Sequence, residues 1–324
     1  SGDPAAGASA ASSTFTTLWF IPVLHTGKAA NMSLNLSKAA DRIPGGSAHT
    51  VRVWPFEGKP AYQEDQELIA EEPLSILVEG KPYSVVMRTP GEENAHVAGF
   101  CLSEGIVDGM DDLAALGYCT DTEGNVATVT LDSKRRHVVS QLLERRGFVS
   151  QTSCGICGKE MIEALQQALR PIPDAIQFTA ERVRACLQRL SERQTLYAKT
   201  RASHAAALFD AAPEMLAMSE DVGRHNALDK AIGTVLINQD LAKACLGILS
   251  SRISYELVQK AARAEIPILI GMSRPTALAV QLAAGLNMTL ACDNKHGGLA
   301  VYCGLDRIVG AETDPNAAHR GVSL

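Results

Sequence analysis

The stretch ACLGILSSRISYELVQKAARAEIPILIG, residues 244–271, decides the fold. Leu246 to Leu249 is a short apolar run, the length of a buried strand. Ser250, Ser251 and Arg252 break it. Residues 254–265 carry helical spacing, and Ile266-Pro267-Ile268-Leu269-Ile270 is a second apolar run closed by Gly271. Two strands joined through a helix run parallel. The alternation extends in both directions. "SHAAALFD" (203–210) reads as a buried strand and "HNALDKAIGTVLIN" (225–238) as a helix. Downstream, "PTALAVQLAAGLN" is a helix, "MTLAC" a strand, and "LAVYCG" closes the run. The pattern predicts an α/β arrangement: a largely parallel sheet with helices on its faces, and ligands beyond the carboxyl ends of the strands.

Upstream, residues 47–148 read as a small α+β unit. "HTVRVWPF" alternates like a strand. "PLSILVEGKPYSVVMRT" (73–89) looks like two strands joined by a Glu79-Gly80-Lys81-Pro82 turn. "ENAHVAGFCLSEGIV" (93–107) has helical spacing and closes on Gly105; "GNVATVTL" is a further strand and "SKRRHVVSQLLERRG" a basic amphipathic helix. Residues 1–46, rich in Ala, Ser and Gly, read as an extension outside the fold. Residues 149–324 hold a cysteine loop and the main domain, including a helix at "KEMIEALQQAL" stopped by Pro171 and another at 180–194 capped by Thr179.

The chain has 324 residues, a net charge of −6 and a pI near 5.8, with 46% hydrophobic and 20% charged residues. That balance is globular and excludes a broad nucleic-acid-binding face. A small anionic ligand in a local pocket remains open. "FTTLWFIPVL" (15–24) is short and interrupted by Pro22, so no apolar run reaches the roughly 20 residues of a membrane span. Eight cysteines are scattered thinly, which points to reduced thiols in the cytoplasm rather than a disulfide framework.

Only Cys154 and Cys157, in "TSCGICGKE" (152–160), are close together. Zinc needs about four ligands, and no second CxxC exists, so His204 or His225 would have to complete a site from afar. A thioredoxin-type disulfide cycle places its CxxC after an early βα turn, whereas here a whole domain precedes it. Sulfur relay needs an exposed, nucleophilic thiolate. Gly155 and Gly158 leave the thiols uncrowded, and Lys159 with a following helix start favours thiolate. The other six cysteines read as structural, like small hydrophobes. Zinc-deaminase chemistry is disfavoured, because His204 is followed by alanines rather than the H-x-E glutamate.

A second constellation, "SEDVGRHNALDKAIG" (219–233), places Arg224 and His225 at a helix mouth with Glu220, Asp221, Asn226, Asp229 and Lys230. It reads equally as a phosphate-binding start or as a capped helix with internal ion pairs. Polar loops follow three more strands: Ser250-Ser251-Arg252, Ser273-Arg274, and Asp293-Asn294-Lys295-His296-Gly297-Gly298. Four such loops after successive strands predict one pocket for a large polyanion.

Seven segments together carry a resemblance: "EEPLSILVEGKPYSVVMRTPG", "AGFCLSEGIV", "SCGICGKE", "HAAAL", "EDVGRHNALDKAIG", "RISYELVQKAARAEIPILI" and "PTALAVQLA". In this order, from about His49 to Tyr302, they resemble the formate dehydrogenase accessory sulfurtransferase (FdhD) family. The resemblance implies a small N-terminal α+β domain followed by a cytidine-deaminase-like three-layer α/β domain. It implies a homodimeric sulfurtransferase that takes persulfide sulfur from an L-cysteine desulfurase. The sulfur passes to the bis(molybdopterin guanine dinucleotide) molybdenum cofactor of formate dehydrogenase; a guanine nucleotide such as GDP would mimic part of that ligand. Cys154 and Cys157 would be the relay pair, with Cys154 bearing the persulfide, and the chain itself would hold no metal. Asp293 to Gly298 would correspond to a cofactor loop, with Arg224, His225, His204, Ser250, Ser251, Arg252 and Ser273 around it. A non-catalytic escort for the cofactor is the rival. The chain departs from the family pattern at Thr200-Arg201-Ala202, Ser251-Arg252, Gly271 to Thr276, and Asp293 to His296.

Overall fold

The computed structural model describes residues 46–56, 58–119, 125–146, 169–173, 176–294 and 297–310. The expected helix at 159–169, the limit between residues 148 and 149, and nearly all of 1–46 lie outside them.

Strands β1 (Gly46–Val53) and β2 (Tyr62–Ile69) form an antiparallel ribbon. A four-stranded sheet follows, built from β3 (Glu72–Val78), β4 (Lys81–Arg88), β5 (Leu113–Cys119) and β6 (Val126–Leu131) in the order β4-β3-β6-β5. Glu79 and Gly80 alone make the β3–β4 turn. Their φ angles of 53° and 72° are both left-handed, as a two-residue hairpin that matches strand twist demands. Lys81 and Pro82 therefore belong to β4, where an edge position tolerates the missing N–H of proline. Helix α1 (Glu93–Ser103) ends before Gly105 at φ 74°, and α2 (Ser133–Arg146) follows β6.

The second half holds β7 (Phe178–Thr179), α3 (Ala180–Arg193), α4 (Thr195–Thr200), β8 (His204–Phe209), β9 (Met215–Asp221), α5 (Arg224–Ile237) and β10 (Leu246–Leu249). It continues with α6 (Tyr255–Arg263), β11 (Ile268–Gly271), α7 (Ala277–Gly285), β12 (Thr289–Asp293), β13 (Leu299–Cys303) and β14 (Ile308–Val309). As expected, Thr179 caps α3 by accepting from the Arg182 N–H at 3.3 Å. Six strands form one sheet in the order β13-β12-β11-β10-β8-β9. Only β10–β11 and β11–β12 pair in parallel; β8–β9, β8–β10 and β12–β13 are antiparallel. This corrects the expectation of a largely parallel sheet. A parallel pair needs a crossover, and only α6 and α7 supply one here. Residues 210–214 are too short and make a hairpin instead, and β12 and β13 likewise pair antiparallel.

Both faces of this sheet are covered. Ala206, Leu208, Leu249, Leu269 and Leu290 point to the side packed by α5, α6 and α7. Ala205, Ala207, Phe209, Ile248, Ile268 and Ile270 point to the other, where Val183, Cys186 and Leu190 of α3 close over them. Two-sided burial explains why these strands read as unbroken apolar runs. The result is a helix–sheet–helix sandwich joined to the smaller sheet through a shared core: Leu74, Ile76, Val129 and Phe100 belong to the same buried cluster as Leu228, Ile232 and Val258.

The junction is made by α1 lying against α5. A Cβ on Gly99 would sit 1.9 Å from the Asp229 carbonyl oxygen, and one on Gly233 would sit 1.7 Å from that of Ala95. The two backbones touch, and only glycine fits at the crossing. Buried charges on α5 tie the same junction. Lys230 pairs with Asp221 at 2.8 Å and donates to the Thr89 carbonyl at 2.8 Å, while the Thr89 N–H donates to Asp221. Asp229 receives Lys260 at 2.7 and 2.9 Å and the Ser103 hydroxyl at 2.7 Å. Buried His96 is kept neutral, first by desolvation and then by the charges of Lys230, Lys260 and Arg88.

Candidate functional site

Three strands present their carboxyl ends at one edge of the six-stranded sheet: β10 at Ser250, β11 at Met272 and β12 at Asn294. Because β8 runs antiparallel to β10, its first residue reaches the same edge: Leu249 lies opposite Ala206, and the Ser250 N–H donates to the Ala205 carbonyl at 2.9 Å. His204 therefore sits beside Ser250. Strand β9 ends there too, with Asp221 paired opposite His204, and hands the chain to Arg224 at the start of α5.

A cavity of about 690 Å³ opens at this edge. His204 and Ser250 line it, with Ser203 and Met272 from the sheet loops and Gln194, Tyr197 and Arg201 from α4 and its ends. The Ser250 hydroxyl oxygen accepts from the Ala205 N–H at 2.8 Å, which leaves its own proton to donate. Burial, then the charges of Arg224 and His225, holds the His204 pKa below its ordinary value. Arg224 and His225 begin α5, just past the end of β9 that pairs with His204. His225 Nε2 lies 3.2 Å from Glu256 Oε2, and this contact holds the Glu256 pKa at about 2.

The expected site residues divide. His204 and Ser250 line the cavity, whereas Arg224 and His225 are not among its lining residues and stand at the start of α5. Arg252 and Ser273 are exposed on the same edge, as are Asp293, Asn294, Gly297 and Gly298. The last four form a tight loop in which the Asn294 N–H donates to the Gly298 carbonyl and the Gly297 N–H to the Asn294 carbonyl. Ser251 is buried and donates to the Arg252 carbonyl at 2.9 Å, so its role is local. Cys154, Cys157, Lys295 and His296 lie outside the described residues. Within "SEDVGRHNALDKAIG" the reading of internal ion pairs holds. Asp221, Asn226, Asp229 and Lys230 build the junction, while Glu220 and Asp221 close a strand rather than open a helix.

The sequence reading missed Gln194 and Tyr197, noted Arg201 only as a departure, and set Glu220 at the mouth of the following helix rather than against α4. Glu220 accepts from the backbone N–H groups of Leu196 and Tyr197 at 2.7 and 2.8 Å and from the Ser203 hydroxyl at 2.7 Å. It thus caps α4, which has no side-chain cap of its own, and pins that helix to the cavity wall. Of the six cysteines expected to be structural, Cys101, Cys186 and Cys292 are buried and Cys245 and Cys303 half-buried, but Cys119 is exposed at the end of β5. Burial raises the Cys186 and Cys245 thiols to about 11 and 12.

Fold and site define an α+β protein whose mixed sheet gathers polar, hydroxyl-bearing side chains around a cavity at one edge. Among the described residues no helix is long and apolar enough to cross a membrane, and no group of three or more His, Cys, Asp or Glu is placed to hold a metal ion. The model of the FdhD/NarQ family matches residues 69–309, and the chain belongs to that family. It is 38% identical over 250 residues to the sulfur carrier protein FdhD of Streptomyces coelicolor, covering 74% of this chain and 88% of that one. To the protein of the same name from Mycolicibacterium paratuberculosis it is 37% identical over 266 residues, 79% and 97% of the two chains. A crystal structure described as a formate dehydrogenase accessory protein from Desulfotalea psychrophila shares the fold. It superposes with a TM-score of 0.66 at 20% identity, over 82% of this chain and all of that one.

Proposed function

We propose that this protein is a sulfur carrier that serves formate dehydrogenase, taking sulfur as a persulfide on Cys154 and delivering it to the bis(molybdopterin guanine dinucleotide) cofactor. The observation that carries the reading is the family match, which runs through the Cys154–Cys157 dithiol and has relatives named sulfur carriers. The site supports it: His204, Arg224 and Arg201 suit phosphate, and Ser203 and Ser250 offer polar contacts.

In this reading an L-cysteine desulfurase presents a persulfide. The Cys154 thiolate attacks its outer sulfur. The donor S–S bond breaks, the donor leaves as a thiolate, and Cys154 holds the new S–SH group. Cys157 can take the sulfur onward by the same exchange. Asp293, Asn294, Gly297, Gly298, Arg252 and Ser273 would frame the acceptor at the sheet edge. The reading includes a homodimer working in the cytoplasm.

The test is to incubate the full chain with a desulfurase and L-cysteine and measure intact mass. One added sulfur, lost in Cys154→Ala, is expected. No gain on the parent chain, with formate dehydrogenase still active in a Cys154→Ala strain, would replace this reading with that of an escort.

A further inference from the structure

Arg201 has an unusual setting. It follows α4 in the left-handed backbone region, at φ 56°, and its N–H donates to the Tyr197 carbonyl at 2.8 Å. Its guanidinium carbon lies over the Tyr197 ring, 5.4 Å from the centroid. Both residues are exposed and both line the cavity. Among the described residues no carboxylate pairs with Arg201. The nearby acid is spent elsewhere, because Glu220 accepts three hydrogen bonds from Leu196, Tyr197 and Ser203. A cation–π contact of this kind uses none of the guanidinium N–H donors. Such a fork, backed by an aromatic ring at a cavity rim, matches a phosphate geometrically.

We propose that Arg201, backed by Tyr197 and positioned by the Glu220 cap on α4, is the residue that grips the diphosphate of the nucleotide-bearing ligand. This rests on the proposed function only in its choice of ligand. Arg201 on the α4 side and His204 and Ser250 on the sheet side line the same cavity.

The backbone conformation makes the test decisive. Glycine adopts positive φ without the Cβ penalty, so Arg201→Gly leaves the fold intact or steadier while removing the guanidinium. Titration calorimetry on the full chain uses GDP, inorganic pyrophosphate and guanosine. Arg201→Gly is expected to lose about 10-fold or more in affinity for GDP and pyrophosphate, with guanosine unchanged and the melting temperature equal or higher. Arg201→Lys, which keeps charge without the fork, falls between. Tyr197→Leu weakens the two phosphate probes without abolishing them. Undiminished GDP binding by Arg201→Gly overturns the proposal, as does an equal loss for all three probes, or a parent chain that binds neither GDP nor pyrophosphate. The two readings separate: a chain that takes up sulfur but ignores the Arg201 change loses only this inference. One that binds pyrophosphate through Arg201 but never gains sulfur loses only the carrier function.

Discussion

Replacing Gly99 with alanine sets two effects against each other. Alanine in mid-helix is favoured over glycine by about 1 kcal/mol. Against this, the new methyl group would lie 1.9 Å from the Asp229 carbonyl oxygen, 2.7 Å from its carbon and 2.8 Å from the Gly233 nitrogen. Ordinary contact begins at 3.4 Å, so α1 must retreat by about 1.5 Å. All three obstacles are backbone atoms, which no rotamer change can clear. A gap of even 0.5–1 Å forfeits a quarter to a half of the dispersion energy along the opened contact. Overpacking of this kind costs roughly 1–3 kcal/mol and occasionally more, and the retreat also pulls the Ser103 hydroxyl from Asp229. Taking about 2–3 kcal/mol for the overpacking and about 1.5 kcal/mol for that hydrogen bond against the roughly 1 kcal/mol gained leaves a net loss of about 3 kcal/mol. At roughly 2–4 °C per kcal/mol for a chain of this size, the apparent melting temperature falls by about 6–12 °C. Differential scanning fluorimetry measures it, with Gly285→Ala as control, since that helical glycine has nothing within 4 Å of its virtual Cβ. If Gly99→Ala melts no lower than Gly285→Ala, the backbone contact between α1 and α5 is not what the geometry says it is.

Three further outcomes are expected. Asp229→Asn leaves the Lys260 ammonium buried without its carboxylate, at a cost of about 3–5 kcal/mol; the Asp229→Asn, Lys260→Met double variant should recover much of that in chemical denaturation, and a double variant as weak as the single would refute the assignment. Glu256 has its pKa depressed, chiefly by the hydrogen bond from His225. Its contribution is therefore present above the ordinary value near 4.5 and lost as pH falls from there toward 2; Glu256→Gln should flatten that limb of the stability curve, and an unchanged limb counts against the pair. His204 is held neutral by burial and by Arg224 and His225, and an anion entering the cavity reverses the charge balance. Pyrophosphate binding below pH 6.5 should then take up more protons in the parent than in His204→Asn, read as the difference in calorimetric heat between two buffers of unlike ionisation enthalpy; equal uptake removes His204 from the site.

The parts of the fold legible in the sequence are those whose environment is uniform along the segment. Strands β10, β11 and β12 are buried on both faces, so "LGIL", "ILIG" and "TLAC" announce themselves, and the helices between them carry ordinary spacing. Strand β2, "YQEDQELI", is a polar ribbon edge with no apolar alternation to detect. Strand β9 is half-exposed and ends in Ser-Glu-Asp, which reads as a helix start. Helix α4 is six residues long and is capped by Glu220 from another element. No local signal marks such a helix, and with it Tyr197 and Arg201 stayed hidden. Ion pairs fared likewise: Asp221, Asp229 and Lys230 stand together in sequence, yet Asp229 takes its cation from Lys260 on α6. The site residues that could be read were those at strand ends, where position alone brings His204 and Ser250 to the edge.

The error in strand direction bears on the site itself. In a fully parallel sheet β8 would bring its last residue, Phe209, to the carboxyl edge, an apolar ring in place of a polar one. The antiparallel β8–β9 hairpin inverts this. It sends Phe209 to the opposite end, where it pairs with Leu246 at the start of β10, and delivers His204 and Ser203 to the cavity. The same inversion brings Glu220 and Asp221 to that edge at the end of β9. Glu220 then reaches α4, and Asp221 binds Lys230 and the Thr89 N–H, fixing the start of α5 where Arg224 and His225 stand. One short hairpin, Asp210 to Glu214, thus helps decide which side chains line the cavity. Its closure is modest, a backbone hydrogen bond from Asp210 to Glu214 at 3.0 Å and two N–H groups donating to the Asp210 carboxylate. The site's charge pattern follows from the direction of two strands, not from the polar loops alone.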